Sequence, residues 1–488
     1  MTIPRELAVM AEQCTGRGTR GVAVAAAPQA AQIGSDVLGR GGNAYDAVVA
    51  MALAEAVLLP PKCGLGGDVV AIATHLGGMP ESLVAIGGAP EGLARIVETG
   101  RWSDTGPTSI GPPGAPFGYA TLAARGRLGL STLAAPAISL ARDGFPWAEV
   151  CNDLSNQSRA LVAQWNPNGS AYFPAGEPIT TGSRVRLPGL ARAIEIFADA
   201  PAEFLIGEVG AAIVRTVADR GGVLSHDDFA DIRSEWAECV SMNVCGHTLW
   251  ATPAPTYGPT LLAALEGVEP GDDVGREYAR FIAAMRANRE ALADPSGTSM
   301  ISAVDADGTA VTVIHSNSYP RFGSGLIVDD FDLILNNRAG RGFTPIAGHP
   351  NYPLRGRRPA TTLHAWAMKL TDGDFFSGAT PGGANQVPWN VQTVGQIVAG
   401  EREPGFLVTS PRWEWLPDDD GVRLEGGFVD ERITTIDALA PRVLRAPRWA
   451  TRAAQQVVRV RAESVFVGAA DPRTVGAAVG VNIDVRRS

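Results

Sequence analysis

Residues 298–316 come close to dictating their own structure. Two runs rich in Val, Ile, Thr and Ser, TSMISAVD from Thr298 and GTAVTVIHS ending at Ser316, flank a reversal at Ala306-Asp307-Gly308-Thr309. β-Branched residues suit a pleated strand, and Asp-Gly supplies the positive φ that a tight reversal needs. The pattern predicts a β-hairpin whose first strand opens on Thr298. Another strand, DFFSGAT, ends at Thr380 and runs directly into Pro381-Gly382-Gly383. Two glycines after a strand offer backbone N–H groups with no side chain in the way.

The N-terminal part reads as two helices. One starts at Pro28 and ends at Gly41-Gly42, with proline at the start and glycine past the end. The other has Asn43 as its cap, with Asp46 three residues on in a variant of the capping box. Its body, AVVAMALAEAVLL, is apolar nearly all round and predicts a buried helix, stopped by Pro60-Pro61. Cys63-Gly64-Leu65-Gly66-Gly67-Asp68 follows, and then a short strand, VVAIATHL. Between about 120 and 290, helical patterns alternate with Gly/Pro turns.

Composition removes several function classes. Hydrophobic residues make up 45% of the 488 and charged residues 19%, an ordinary globular balance. A formal net charge of −10 repels phosphate backbones, so nucleic acid is not expected as a partner. The five cysteines are widely spaced without a CxxC, and none of the six histidines shows metal spacing. No metal or cofactor is expected. The N-terminal residues have no signal-peptide pattern and no stretch is long and apolar enough to span a bilayer, so the expectation is a cytoplasmic protein without a membrane partner.

Seven blocks carry a resemblance across nearly the whole chain. They are PQAAQIGSDVLGRGGNAYDAVVAMALA with CGLGGD, PPGAPFG with LAAPAISLARDGFP, GGVLSHDDFADIRSEW before TPAPTYGPTLLAALEG, TSMISAVDADGTAVTV, RPATTLHA, SGATPGGANQ and GAADPRTVGAAVG. In this order they resemble the γ-glutamyltransferase family. The resemblance implies an α+β fold, the four-layer αββα sandwich of N-terminal-nucleophile hydrolases. It also implies a precursor that cuts itself between Gly297 and Thr298. Residues 1–297 would form the large subunit and 298–488 the small one.

The chemistry the resemblance implies suits the residues at those positions. A threonine hydroxyl needs a base nearby. Cleavage before Thr298 would free an α-amine with an ordinary pKa of about 7.7–8.0, able to take the hydroxyl proton. Gly382 and Gly383 match the family's oxyanion hole. Ser316 matches a threonine whose hydroxyl supports the nucleophile. Thr361 and Thr362 fall where the family has paired serines that contact substrate. Ser318 or Asn317 falls near a family asparagine.

Three positions depart from the family. The arginine that clamps the glutamyl α-carboxylate falls at Ile86, three residues before Ala89-Pro90. An isoleucine cannot replace a charge-assisted clamp. After Asn336-Asn337, where the family holds the substrate ammonium, stand Arg338 and Arg341. Two crowded guanidiniums predict an anion between them. Arg355, Arg357 and Arg358 are expected at the rim of a more open pocket. The expected substrate is therefore a small anionic molecule that is not a γ-glutamyl compound. Look-alikes from alkylproline-antibiotic biosynthesis imply C–C hydrolysis of a 2-oxo-acid, oxalyl-type group. A conventional γ-glutamyl hydrolase or transpeptidase is the second reading, and an inactive binding protein the third. His315 and His364 lie beside these blocks and are expected to be structural.

Overall fold

The computed structural model describes residues 5–75, 78–288, 297–461 and 465–482. The predicted hairpin forms, with Thr298–Asp305 antiparallel to Ala310–Ser316 and Thr298 directly opposite Ser316. It sits at the centre of a seven-stranded sheet, between Gly21–Ala25 on one side and Asp68–Thr74 on the other. Every residue of both hairpin strands is buried. A strand buried on both faces must send alternate side chains into two different cores. Ile301, Ala303, Val311 and Val313 enter a core shared with helices. Met300, Val304 and Ile314 face a second seven-stranded sheet through a separate apolar layer. By the same alternation Thr298 and Ser316 belong to the inter-sheet side, and Ser299 and His315 to the helix side.

The second sheet carries Phe375–Ala379 between Trp366–Lys369 and Gln456–Val460. Its outer face is covered by Gly258–Ala264, Val274–Ala287 and Gln386–Val398, which share a third core with it. The layers therefore run helix, sheet, sheet, helix, as expected. Trp366, Trp389 and Trp413 are fully buried in this half, packing material rather than a cage for a ligand.

Helix Ala44–Leu58 covers the hairpin from outside, and all of its residues except Tyr45 are buried. Its start is fixed by the predicted box: the Asn43 side chain accepts from the Asp46 N–H at 3.0 Å, and Asp46 accepts from the Asn43 N–H at 2.8 Å. Losing such a cap typically costs about 1 kcal/mol. Each apolar side chain of Val or Leu size buried here contributes about 1.5–3 kcal/mol.

Strands from the two sides of residue 297 are interleaved. The central sheet takes Gly21–Ala25, Asp68–Thr74 and Glu81–Ala85 from before it, and the hairpin and Ala477–Val481 from after it. The two parts of the chain share one set of cores rather than forming separate domains. Among the described residues no helix is long and apolar enough to cross a membrane. All five cysteines are free thiols.

Candidate active site

The register that puts Thr298 opposite Ser316 also sets up a short chain of hydrogen bonds. The Thr298 hydroxyl donates to Ser316 Oγ at 3.2 Å, and Ser316 Oγ donates to the Gly297 carbonyl at 2.8 Å. The Ser318 N–H donates to the same Ser316 oxygen at 2.8 Å. Ser316 thus touches both the hydroxyl of Thr298 and the carbonyl one bond before it. Gly297 is required here, since a Cβ would lie 2.0 Å from the Ser318 carbonyl oxygen.

Asn317 and Ser318, open alternatives by sequence, separate clearly. Asn317 is spent on the Pro60–Lys62 turn: its side chain donates to the Pro60 carbonyl at 3.1 Å and its N–H to the Lys62 carbonyl at 2.8 Å. Ser318 serves Ser316 through its N–H, and its own hydroxyl is buried without a hydrogen-bond partner.

Thr298 opens onto a cavity of about 330 Å³ at one end of the sandwich, bounded also by Lys62, Pro381, Gln456 and Arg473. Pro381 brings the Gly382-Gly383 turn to this end. Gly382 has φ 146° and Gly383 has φ 58°, and a Cβ on Gly382 would lie 2.2 Å from the Trp389 ring. The turn leads through residues 383–385 into helix Gln386–Val398, so its N–H groups stand at the electropositive end of a helix.

The remaining expected substrate contacts lie elsewhere. None of Ile86, Arg338, Arg341, Thr361 and Thr362 bounds the cavity that Thr298 opens onto. Ile86 is fully buried in the inter-sheet layer. Thr361 donates its N–H to the Pro255 carbonyl at 3.0 Å, and its hydroxyl oxygen accepts from Leu363 N–H at 3.2 Å. The Thr362 carbonyl accepts from His364 Nδ1 at 2.9 Å.

The two arginines correct the expectation of an anion held between them. Arg338 Nε is bound to Asp68 at 2.8 Å with both groups buried, and Arg341 is bound to Asp104 at 2.7 Å. Each guanidinium has its own carboxylate within the protein, so their charge does not call for an external one. Burial raises the Asp68 carboxyl above its ordinary range, and Arg338 opposes that rise. Arg338 Nη2 remains buried without a hydrogen-bond partner. The rim cluster is similarly accounted for. Arg355 pairs with Glu91 and Asp231, while Arg357 and Arg358 donate to backbone carbonyls.

Sequence reasoning missed Glu55, the carboxylate behind the nucleophile, to which His315, expected to be structural, is bonded. Glu55, in the last turn of helix Ala44–Leu58, accepts from the Ala26 and Ala27 N–H groups at 2.8 and 3.1 Å through one oxygen. Its other oxygen takes the Ser299 hydroxyl at 2.6 Å and His315 Nε2 at 3.0 Å. Nε2 donates to that carboxylate, and Nδ1 is hydrogen-bonded to the Tyr119 hydroxyl at 2.7 Å. Glu55, Cys63 and His315 bring potential metal ligands within 4.8 Å of one another. The four donors on Glu55 and the two bonds on His315 explain the cluster without an ion. An ionisable residue following the otherwise apolar run AVVAMALA was the available signal, because a buried charge has to be paired.

The comparisons agree with this architecture. The sequence pattern of the family described as Gamma-glutamyltranspeptidase matches residues 30–295 and 272–481. The Glutathione hydrolase-like YwrD proenzyme of Bacillus subtilis is 27% identical over 95% of this chain and 99% of its own. The Oxamate amidohydrolase proenzyme of Klebsiella pneumoniae is 27% identical over 95% of this chain and 98% of its own. The crystal structure of cephalosporin acylase from Bacillus halodurans superimposes with a TM-score of 0.83 at 25% identity, covering 96% of each chain. The chain belongs to the γ-glutamyltranspeptidase family and has its N-terminal-nucleophile hydrolase fold, which makes it a hydrolase or transferase.

Proposed function

We propose that the chain cuts itself between Gly297 and Thr298 and then acts as a threonine-nucleophile hydrolase on an anionic substrate that is not a γ-glutamyl compound. The supporting observation is Ser316, which donates to the Gly297 carbonyl while accepting from the Thr298 hydroxyl. That donor polarises the carbon the hydroxyl attacks. In the cut, Thr298 Oγ1 adds to the Gly297 carbonyl carbon and the C–N bond breaks. The nitrogen takes the proton and becomes the α-amine. Water then hydrolyses the ester and leaves Gly297 as a carboxylate. Both relatives described above are named as proenzymes, which supports such processing.

In turnover the freed amine takes the proton of the same hydroxyl as it attacks the substrate carbonyl. The Gly382 and Gly383 N–H groups receive the oxyanion. Ile86 is buried in the inter-sheet layer and Arg338 and Arg341 are paired with Asp68 and Asp104, so these positions offer a γ-glutamyl group neither a carboxylate clamp nor a free acceptor for its ammonium. The relative named for oxamate favours an oxalyl-type acid. For a 2-oxo acid, attack at the ketone carbon breaks its bond to the rest of the molecule. The leaving carbon takes the electron pair and the proton, and water releases the oxalyl ester as oxalate.

On a denaturing gel the wild type should give pieces of 297 and 191 residues, and Thr298→Ala one chain of 50.9 kDa. A wild type that stays whole would overturn self-processing and favour a binding protein. Efficient release of nitroaniline from γ-glutamyl-p-nitroanilide would overturn the non-glutamyl substrate and favour the reading suggested by the glutathione hydrolase-like relative.

A further inference from the structure

The cavity at Thr298 has two cationic side chains in its wall, Lys62 and Arg473. Only one of them is available to a ligand. Arg473 is locked: Nε and Nη2 are bonded to Glu425, Nη1 to Asp471, and the remaining N–H groups donate to the Val408 and Ser410 carbonyls. All five guanidinium protons are used, and the side chain is 1% exposed. Lys62 has no ion pair among the described residues.

The position of Lys62 is fixed by its backbone. Its carbonyl accepts from the Asn317 N–H at 2.8 Å, and its own N–H donates to the Leu59 carbonyl at 2.9 Å. Asn317 follows Ser316 in the chain, so the hydroxyl that supports Thr298 and the turn that carries Lys62 are tied together. The side chain is only partly exposed, and burial lowers its pKa from the ordinary lysine value. The other charged residues in the wall are Glu149 and Asp153, both exposed and one turn apart at the start of helix Glu149–Trp165. One cavity wall thus holds both Lys62 and Thr298, with two exposed carboxylates at its mouth.

We infer that Lys62 is the substrate-binding residue that holds the carboxylate of the acyl group presented to Thr298. This rests on the proposed function and moves the anion site from Arg338 and Arg341, which have internal partners, to the lysine in the wall of the cavity. A half-buried ammonium with no counter-ion among the described residues is paired by an entering carboxylate, and the charge-assisted bond is strengthened as water is excluded. The mouth acids turn away substrates with a second anion at the far end. The ligand class is a short acyl group ending in a carboxylate, attached to a neutral or cationic remainder.

The test is binding of oxalate, succinate and glutarate to the processed protein by calorimetry. At least one of the three should bind the wild type, about tenfold or more weaker to Lys62→Met and within about threefold to Lys62→Arg. Glu149→Gln/Asp153→Asn should bind the same anion as tightly as the wild type or more so. Should Lys62→Met fail to fold, Lys62→Gln serves for the same comparison. Wild type that binds none of the three, or Lys62 variants that bind them unchanged, would overturn the inference. Neither result bears on cleavage before Thr298, which the gel reads separately.

Discussion

Thr298 and Ser316 are cross-strand partners whose hydroxyl oxygens lie 3.2 Å apart, and Ser316 donates onward to the carbonyl of Gly297. One serine is thereby set to assist both the cut and the later turnover. Ser316→Ala removes the donor to the carbonyl and should slow appearance of the 191-residue piece by about 10²-fold, in the range measured for other oxyanion donors. Ser316→Thr keeps the hydroxyl and should cut within about tenfold of the wild-type rate. A time course on a denaturing gel gives both rates, and equal rates for Ser316→Ala and wild type would remove Ser316 from the chemistry.

Glu55 anchors four donors, two of them backbone N–H groups that cannot turn elsewhere. Glu55→Ala leaves all four buried without an acceptor and should destabilise by about 3–5 kcal/mol, enough to lower the melting temperature sharply. Glu55→Gln behaves differently. Its oxygen can keep the Ala26 and Ala27 N–H groups, while Ser299 rotates and His315 changes tautomer to accept from the amide. The expected loss is about 1–2 kcal/mol. Equal losses for Ala and Gln would show that the backbone pair is not what the carboxylate holds.

Asp68 and Arg338 form an ion pair buried from water on both sides. Removing one partner strands the other. Arg338→Met should cost about 3–5 kcal/mol, whereas Asp68→Asn/Arg338→Met should recover most of it. Thermal unfolding of the two variants decides the matter. If the double variant unfolds no later than Arg338→Met, the pair does not account for the stability of this corner.

The elements that could be read from the sequence are those whose cause is local. The hairpin at 298–316 follows from strand residues around Asp-Gly, and the cap at Asn43 from its spacing to Asp46. The αββα layers and the place of Thr298 came through the family resemblance. What stayed hidden is long-range pairing. Glu55 meets Ser299 and His315 across 244 and 260 residues, and Asp68 meets Arg338 across 270. A guanidinium seen alone in sequence looks like an open anion site. Its counter-ion becomes visible only when the central sheet brings the segments together. The same holds for Lys62, whose place in the wall of the Thr298 cavity is set by the turn being bonded to Asn317.

His364 supplies a test of the second sheet's end of the site. It is fully buried, with Nδ1 donating to the Thr362 carbonyl at 2.9 Å and Nε2 accepting from the Asn390 amide at 2.9 Å. It therefore ties the 361–364 segment to helix Gln386–Val398, and both ring positions require the neutral form. Burial pushes its pKa from 6.5 down to about 4. The unfolded chain takes the proton near pH 6.5 and the folded protein does so only near pH 4. Stability from this residue is whole above pH 6.5 and is lost as pH falls between those values. At about 1.4 kcal/mol per pH unit the loss is roughly 3 kcal/mol. His364→Gln keeps an oxygen for Asn390 but cannot be protonated there. It should be less stable than wild type at pH 7.5 by about 1 kcal/mol, and the difference should close or reverse by pH 4.5. Melting temperatures of the two proteins across that range measure it, and parallel pH curves would mean that His364 is not held neutral by the fold.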